Sequence, residues 1–146
     1  MPIRSSADVV IRMDDPNGVL RELNGKNRLV SITGLSEHDG TEQYIPLGGG
    51  DTEELYTAVR TFTDVIVTVL FNDGANPEDV LNVFRKEAGI SPDTPSRTLQ
   101  IEFGPGQMWD LEVRIKRRRP FIVAKKLTKY IVTCGYAGRF NRTGLV

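Results

Sequence analysis

The stretch Phe62-Thr63-Asp64-Val65-Ile66-Val67-Thr68-Val69-Leu70-Phe71 decides the fold class. Val65, Val67, Val69 and Phe71 fall on one face of an extended chain, and Asp64, Ile66, Thr68 and Leu70 on the other. β-branched residues dominate it, and such side chains fit a pleated, packed surface better than a helix. The second face is itself half apolar, so this strand is expected to be covered on both sides, by a second layer or by another subunit.

Extended segments recur on either side. Upstream, Ala7–Met13 reads as a first strand, closed by Asp14-Asp15-Pro16-Asn17-Gly18, where proline presets φ and Asn-Gly accepts φ > 0. Val19–Leu23 and Arg28–Thr33 follow as short strands, then Ser36–Gly40 as a polar surface loop and Thr41–Leu47 as an outward-reaching strand broken by Gly48-Gly49-Gly50. Glu54–Arg60 is weakly patterned and leans to strand. Downstream, Leu99, Ile101 and Phe103 alternate with Thr98, Gln100 and Glu102; Gly104-Pro105-Gly106 turns the chain into Met108–Lys116, where Trp109, Leu111, Val113 and Ile115 share a face. A last strand spans Lys126–Cys134, and Gly135–Val146 reads as a glycine- and arginine-bearing tail. One helix is expected over 77–88: Asn76 suits the N-cap, Pro77 sits where a missing N–H costs nothing, and Glu78 and Asp79 favour the positive end of the dipole. Val80, Leu81, Phe84 and Ala88 keep helical spacing up to Gly89. The sum is a mainly β chain, a β-sandwich or barrel of antiparallel strands with one flanking α-helix, in a single domain over 1–146 with an N-terminal arm (about 1–6) and a C-terminal arm (about 136–146).

Composition narrows the function. The chain has 146 residues, with 39% hydrophobic and 26% charged content, which suits a globular domain and not a disordered one. No apolar run is long enough for a membrane-spanning helix, and Met1–Ser6 has no signal-peptide core, so no membrane insertion is expected. The single cysteine, Cys134, lies in the apolar run Tyr130–Cys134 and reads as a small buried hydrophobe, excluding a disulfide framework or thiolate cluster. Gly48-Gly49-Gly50-Asp51-Thr52 lacks the Lys-Ser/Thr pair of a phosphate loop. His38 is the only histidine, and Glu37, His38 and Asp39 amount at most to an adventitious cation site. The expectation is a protein with no catalytic residues, no cofactor and no resident metal.

Net charge is zero but unevenly distributed. From Ser36 to Phe84 ten acids stand against one base, Arg60; from Arg114 to Val146 there are ten bases and no acid. Two readings fit equally: head-to-tail attraction between identical subunits, or pairing of the two segments within one chain. The run Arg114-Ile115-Lys116-Arg117-Arg118-Arg119-Pro120 could also contact phosphates, with Lys125, Lys126 and Lys129 extending it, but no aromatic stacking platform is interleaved. Pro120 is expected to end the strand there.

The order of elements resembles that of the major tail tube proteins of long-tailed bacteriophages. The resemblance runs through Thr41–Gly48 with its Leu47-Gly48 step, the long strand Phe62–Phe71, and Phe71-Asn72-Asp73 ahead of the helix, and it covers nearly the whole chain. It implies a subunit that forms homo-hexameric rings stacked into a hollow tube for DNA during ejection. Its partners would be terminator, tape-measure, distal-tail and sheath proteins, its place the virion tail, and its site of assembly the host cytoplasm. Secretion-system tubes share the architecture, and tail terminators and distal-tail proteins come close. By the resemblance, Glu37, His38, Asp39, Thr41, Glu42, Arg117, Arg118, Arg119, Arg139 and Arg142 are expected at contacts between subunits or rings. The alternative from a different class is a nucleic-acid-binding β-barrel, carried by the basic C-terminal third.

Overall fold

A computed structural model describes residues 8–25, 28–34, 36–44, 47–50, 53–85 and 96–144. The chain is mainly β. Strands β1 (Val10–Asp14), β2 (Leu20–Glu22), β3 (Leu29–Gly34), β4 (Glu37–Tyr44), β5 (Glu53–Phe62), β6 (Val65–Leu70), β7 (Arg97–Gly104), β8 (Gln107–Phe121) and β9 (Lys129–Thr143) are joined by one helical turn, α1 (Val80–Val83). Seven of them form one antiparallel sheet in the order β2-β1-β7-β8-β9-β6-β3, curled into a half-barrel, and β4 and β5 form a separate two-stranded ribbon.

The alternation that announced β6 is real: Val65, Val67 and Val69 are fully buried, with Ile66, Thr68 and Leu70 on the other face. They meet Ile11 and Met13 of β1, Leu99 and Ile101 of β7, Leu111, Val113 and Ile115 of β8, and Val132 and Cys134 of β9 in one core. Curling the sheet brings these strands onto a common interior. Val80, Val83 and Phe84 fill it from α1, all with no exposed surface. Each contributes about 1.5–3 kcal/mol by leaving water.

The helix is far shorter than 77–88. Residues 77–79 turn instead of winding, and 86–88 lie outside the described residues. The loop before it is tied by its own polar side chains. Asp79 sends its carboxylate backwards to accept the Asn76 N–H (3.0 Å), the Asn72 side-chain oxygen takes the Val80 N–H (2.5 Å), and the Asn82 amide donates to the carbonyls of Gly74 (2.8 Å) and Asn76 (2.7 Å). Such local bonds compete with the helical ladder, and here they win. The N-cap position falls on Asp79, not Asn76, and Asn72 takes the first helical N–H from eight residues upstream.

Three further expectations are corrected. Ser36–Gly40 is not a loop: from Glu37 it is the first half of β4, paired with β5 (Glu37 with Phe62, Asp39 with Arg60). Pro120 does not stop β8, which runs on to Phe121 opposite Lys129. At Pro120 the chain pairs with β9, and among the described residues no strand pairs with its other edge, since β7 pairs with β8 only as far as Val113. An edge position tolerates a missing donor. Residues 136–143, read as part of a C-terminal arm, continue β9, with Phe140 opposite Leu111 and Thr143 opposite Met108. The N-terminal arm, about 1–6, lies outside the described residues.

Candidate assembly surfaces

Sequence reasoning placed its candidate contacts in two groups, and the fold brings part of each together. Glu37, His38, Asp39, Thr41 and Glu42 all lie on β4. Arg139 and Arg142 lie on the distal half of β9, which returns to the base of that ribbon. There Arg142 pairs with Glu37, and its guanidinium lies 5.5 Å from the centre of the Trp109 ring and 4.9 Å from that of Phe140. Phe140 packs in turn on Phe62 (5.0 Å) and Trp109 (5.2 Å), and Phe62 on Tyr136 (4.6 Å). An aromatic stack thus fastens the root of the ribbon to β8 and β9. Arg139 donates to Asp110 (2.9 Å) and Glu112 (2.6 Å). Burial alone would raise the Glu112 carboxyl, but hydrogen bonds from Thr98, Ser96 and Arg139 outweigh it and hold it below the ordinary range.

The basic run splits by face. A bulge between Ile115 and Arg117 shifts the alternation, so Arg118 stands opposite buried Val132 and turns inward to donate to the Phe84 carbonyl. Arg117 and Arg119 point out, and Arg119 sits over the Phe121 ring at 5.8 Å. Lys116 is held by Asp64 (3.0 Å). Of the two charge readings, pairing within the chain therefore accounts for Glu37 with Arg142 and Asp64 with Lys116, and it leaves Arg117, Arg119, Lys125 and Lys126 on the surface.

Cys134 is buried, as its apolar run implied. Loss of solvation pushes its thiol up to about 12, with Arg118 and Arg97 pulling weakly the other way. A thiol so rarely ionised is inert.

Sequence reading missed one surface. Between β8 and β9 the chain turns through Phe121-Ile122-Val123-Ala124-Lys125-Lys126-Leu127, where Ile122 is 74% and Leu127 71% exposed, with Phe121 and Val123 also open. Lys125 takes φ 63° and the Lys126 N–H closes the turn on Val123 (3.1 Å). Without Gly or Asn at the bend, the turn gave no signal; the apolar triplet after Pro120 was the only hint. On the outer face of β6 Ile66 is exposed while Thr68 and Leu70 are half-buried, and Phe71, just beyond the strand, is exposed as well. Among the described residues no group of three His, Cys, Asp or Glu side chains could hold a metal ion, and no helix is long and apolar enough to cross a membrane.

No protein-family model matches the chain, and no curated protein sequence does. Solved structures do. A chain from the tail of an empty GTA particle, refined with C6 symmetry, aligns over 97% of this chain and 100% of its own, with TM-score 0.69 and 18% identity. A chain from the sheath/tube terminator of the extracellular contractile injection system PVC aligns over 99% and 98%, with TM-score 0.71 and 12% identity. A chain from the tube-terminating cap of the anti-feeding prophage aligns over 99% and 93%, with TM-score 0.66 and 12% identity. At such identities the likeness is one of fold.

Proposed function

We propose that the chain is a structural tail subunit that closes into hexameric rings, and that the rings stack into a hollow tube through which DNA passes. The observation that carries this reading is the β4–β5 ribbon, which stands outside the main sheet on a half-barrel of the shape found in the GTA tail and the contractile injection systems. A two-stranded ribbon is marginal in water on its own and gains stability by packing on a neighbour. Ile66, exposed on the outer face of β6, and Phe71 just beyond the strand ask for the same cover. Other tail proteins would meet the ends of such a tube, and its role would be mechanical and not catalytic.

Two points weigh against a nucleic-acid-binding barrel. Arg118 faces inward and Lys116 is paired, so the basic run offers no continuous cationic stripe for a phosphate backbone. A second tail reading, a protein that ends a tube instead of lengthening it, is supported by the chains from the terminator and cap assemblies no more than tube growth is by those from the GTA tail and the PVC sheath-tube complex.

Negative-stain electron microscopy of the purified protein separates these. Tubes of indefinite length support the tube subunit. Single rings that never stack support the terminator. A monomer that shifts DNA in a gel without forming rings overturns both tail readings.

A further inference from the structure

The hairpin that joins β8 to β9 ends in seven consecutive exposed residues, Phe121-Ile122-Val123-Ala124-Lys125-Lys126-Leu127. The sheet stops below it. The last β8–β9 pair is Phe121 with Lys129, and β6 ends at Leu70, opposite the same lysine. Past that level the Phe71 N–H bonds the Thr128 carbonyl (2.9 Å), and the Lys126 N–H closes the tip on the Val123 carbonyl (3.1 Å).

Four large apolar side chains stand open on this tip: Phe121, Ile122, Val123 and Leu127. Three of them are consecutive, and consecutive side chains cannot all share one face of a chain. Leu127 comes from the returning arm. The apolar surface therefore wraps around the tip instead of forming a flat patch. A groove on a folded partner covers one face of a hairpin, whereas a fluid acyl layer covers every face at once.

The charge around it has one sign. Lys125 and Lys126 are exposed within the tip, Arg117 and Arg119 are exposed on β8 below it, and no acid occurs from Arg114 onwards. Two acids do come near the base, where Asp73 and Asp79 share a cleft with Leu127 and Thr128. Their carboxylates accept the N–H groups of Ala75 and Asn76, Asp79 is buried, and Arg28 lines the same cleft. An open apolar end with a cationic collar matches the order of a lipid surface, acyl chains beneath and phosphates above. Lysine suits the collar because its stem lies along apolar surface while the ammonium stays in water.

We propose that the Phe121–Leu127 tip is a peripheral membrane contact. Its apolar side chains enter the headgroup–acyl boundary of an anionic lipid surface, and Lys125 and Lys126 meet the lipid phosphates. No membrane-spanning segment is required. One tip binds weakly and reversibly; a ring of copies would present several together, although the contact does not depend on the tube reading.

The test is flotation of the purified protein with vesicles of equal parts phosphatidylcholine and phosphatidylserine, and with phosphatidylcholine alone. Wild type is expected to float with the anionic vesicles at low salt and to leave them as salt rises. Lys125→Glu/Lys126→Glu should weaken partition more than about tenfold, since each lysine near such a surface contributes about fivefold. Ile122→Ser/Leu127→Ser should weaken it by a similar factor. Ile122→Trp adds an emission that should shift to the blue on anionic vesicles only. All these positions are exposed, and thermal melting checks that each variant folds; Lys125→Gln/Lys126→Gln and Ile122→Ser alone replace any that does not. Wild type that fails to float at low salt overturns the proposal. So does flotation that Ile122→Ser/Leu127→Ser leaves unchanged, because the cations would then act without the apolar tip. Without flotation, retention by duplex DNA assigns the cations to nucleic acid, and self-association lost in Ile122→Ser/Leu127→Ser gives the tip to a second copy. Either result overturns the membrane contact. Rings and tubes are read separately by electron microscopy, so the tube reading stands or falls on its own.

Discussion

The Arg97 guanidinium, projecting from the first residue of β7, donates to the carbonyl of Val83 at 2.9 Å, the last residue of α1. The same side chain reaches the carbonyls of Arg85 (3.0 Å) and Asp14 (3.0 Å), and Arg118 takes the carbonyl of Phe84 between them. Two arginines from neighbouring strands thus satisfy the C-terminal carbonyls of the one helical turn, which a four-residue helix cannot satisfy itself. They hold Val80, Val83 and Phe84 in the mouth of the half-barrel.

Arg97→Met keeps the stem and removes all three donations, leaving carbonyl groups in the interior without a partner. It should lower stability by about 2–4 kcal/mol, read by urea denaturation. An effect under about 1 kcal/mol would mean that water replaces the guanidinium and that the clamp is not what seats the plug.

Asp15 gives the fold an acid-sensitive turn. Burial raises its carboxyl, but the N–H groups of Val19 (3.0 Å) and Asn17 (2.9 Å) and the Arg21 side chain (3.2 Å) outweigh that and leave it lowered. A carboxyl lowered in the folded state stabilises fully above its unfolded value, near about 4, and loses that contribution as pH falls through the folded value. Asp15→Asn should therefore cost about 1–2 kcal/mol at neutral pH and progressively less below about pH 4, shown by paired denaturation curves. Asp14 works in the opposite sense. Burial raises it despite the Thr98 N–H and Arg97, so its contribution is present below the unfolded value and fades as pH rises through the folded one. A constant cost of Asp15→Asn across this range would contradict the assignment.

Gly34 sits where β3 hands over to the ribbon, with φ +86°, and a Cβ there would lie 1.9 Å from the Asp64 carbonyl oxygen. Gly34→Ala must break the Gly34–Val65 pairing or displace residues 63–64, and should cost more than about 3 kcal/mol. Gly106, in the β7–β8 turn, shares the positive φ (+74°) but has open space around it, so Gly106→Ala should cost only the conformational penalty of about 1–2 kcal/mol. Equal losses from the two would show that backbone strain and not the Asp64 contact sets the effect.

Arg142→Met tests the fastening of the ribbon. It removes the charge that meets Glu37 and lies over Trp109, the only tryptophan in the chain. The loss of stability should be small, about 0.5–1 kcal/mol. Tryptophan emission should shift, and amide exchange should quicken at the ribbon root, from Glu37 to Asp39 and Arg60 to Phe62. Unchanged exchange there would place the fastening in the aromatic stack alone.

What could be read from sequence followed the strength of the local signal. The strict alternation in β6 and in the Leu99–Phe103 segment named its own buried faces, because one side of the strand carried nearly all the interior burden. β4 begins Glu37-His38-Asp39-Gly40, with no apolar face to betray it; it is a strand because β5 pairs with it, a tertiary fact. The helix failed for a related reason. Asn76, Pro77 and Glu78 form a fair N-terminus in isolation, and side-chain bonds from Asn72, Asp79 and Asn82 supply a competing loop. Among the candidate contacts, Glu37 and Arg142 were expected between subunits or rings, and they meet each other within one chain. Nothing in a run of five cations reveals which one points inward.

That last point follows from a single extra residue. Between Ile115 and Arg117, β8 carries two positions opposite one on β9, so Lys116 is surplus to the register. Removing it would straighten the strand and leave every side chain from Arg117 to Phe121 facing as it does now. Removing Arg114 instead would invert Ile115, and removing Arg118 would swing Arg119 into the interior. The strand therefore has one place where its length can change without a change of parity, and insertions and deletions elsewhere along it exchange the inside of the barrel for the outside.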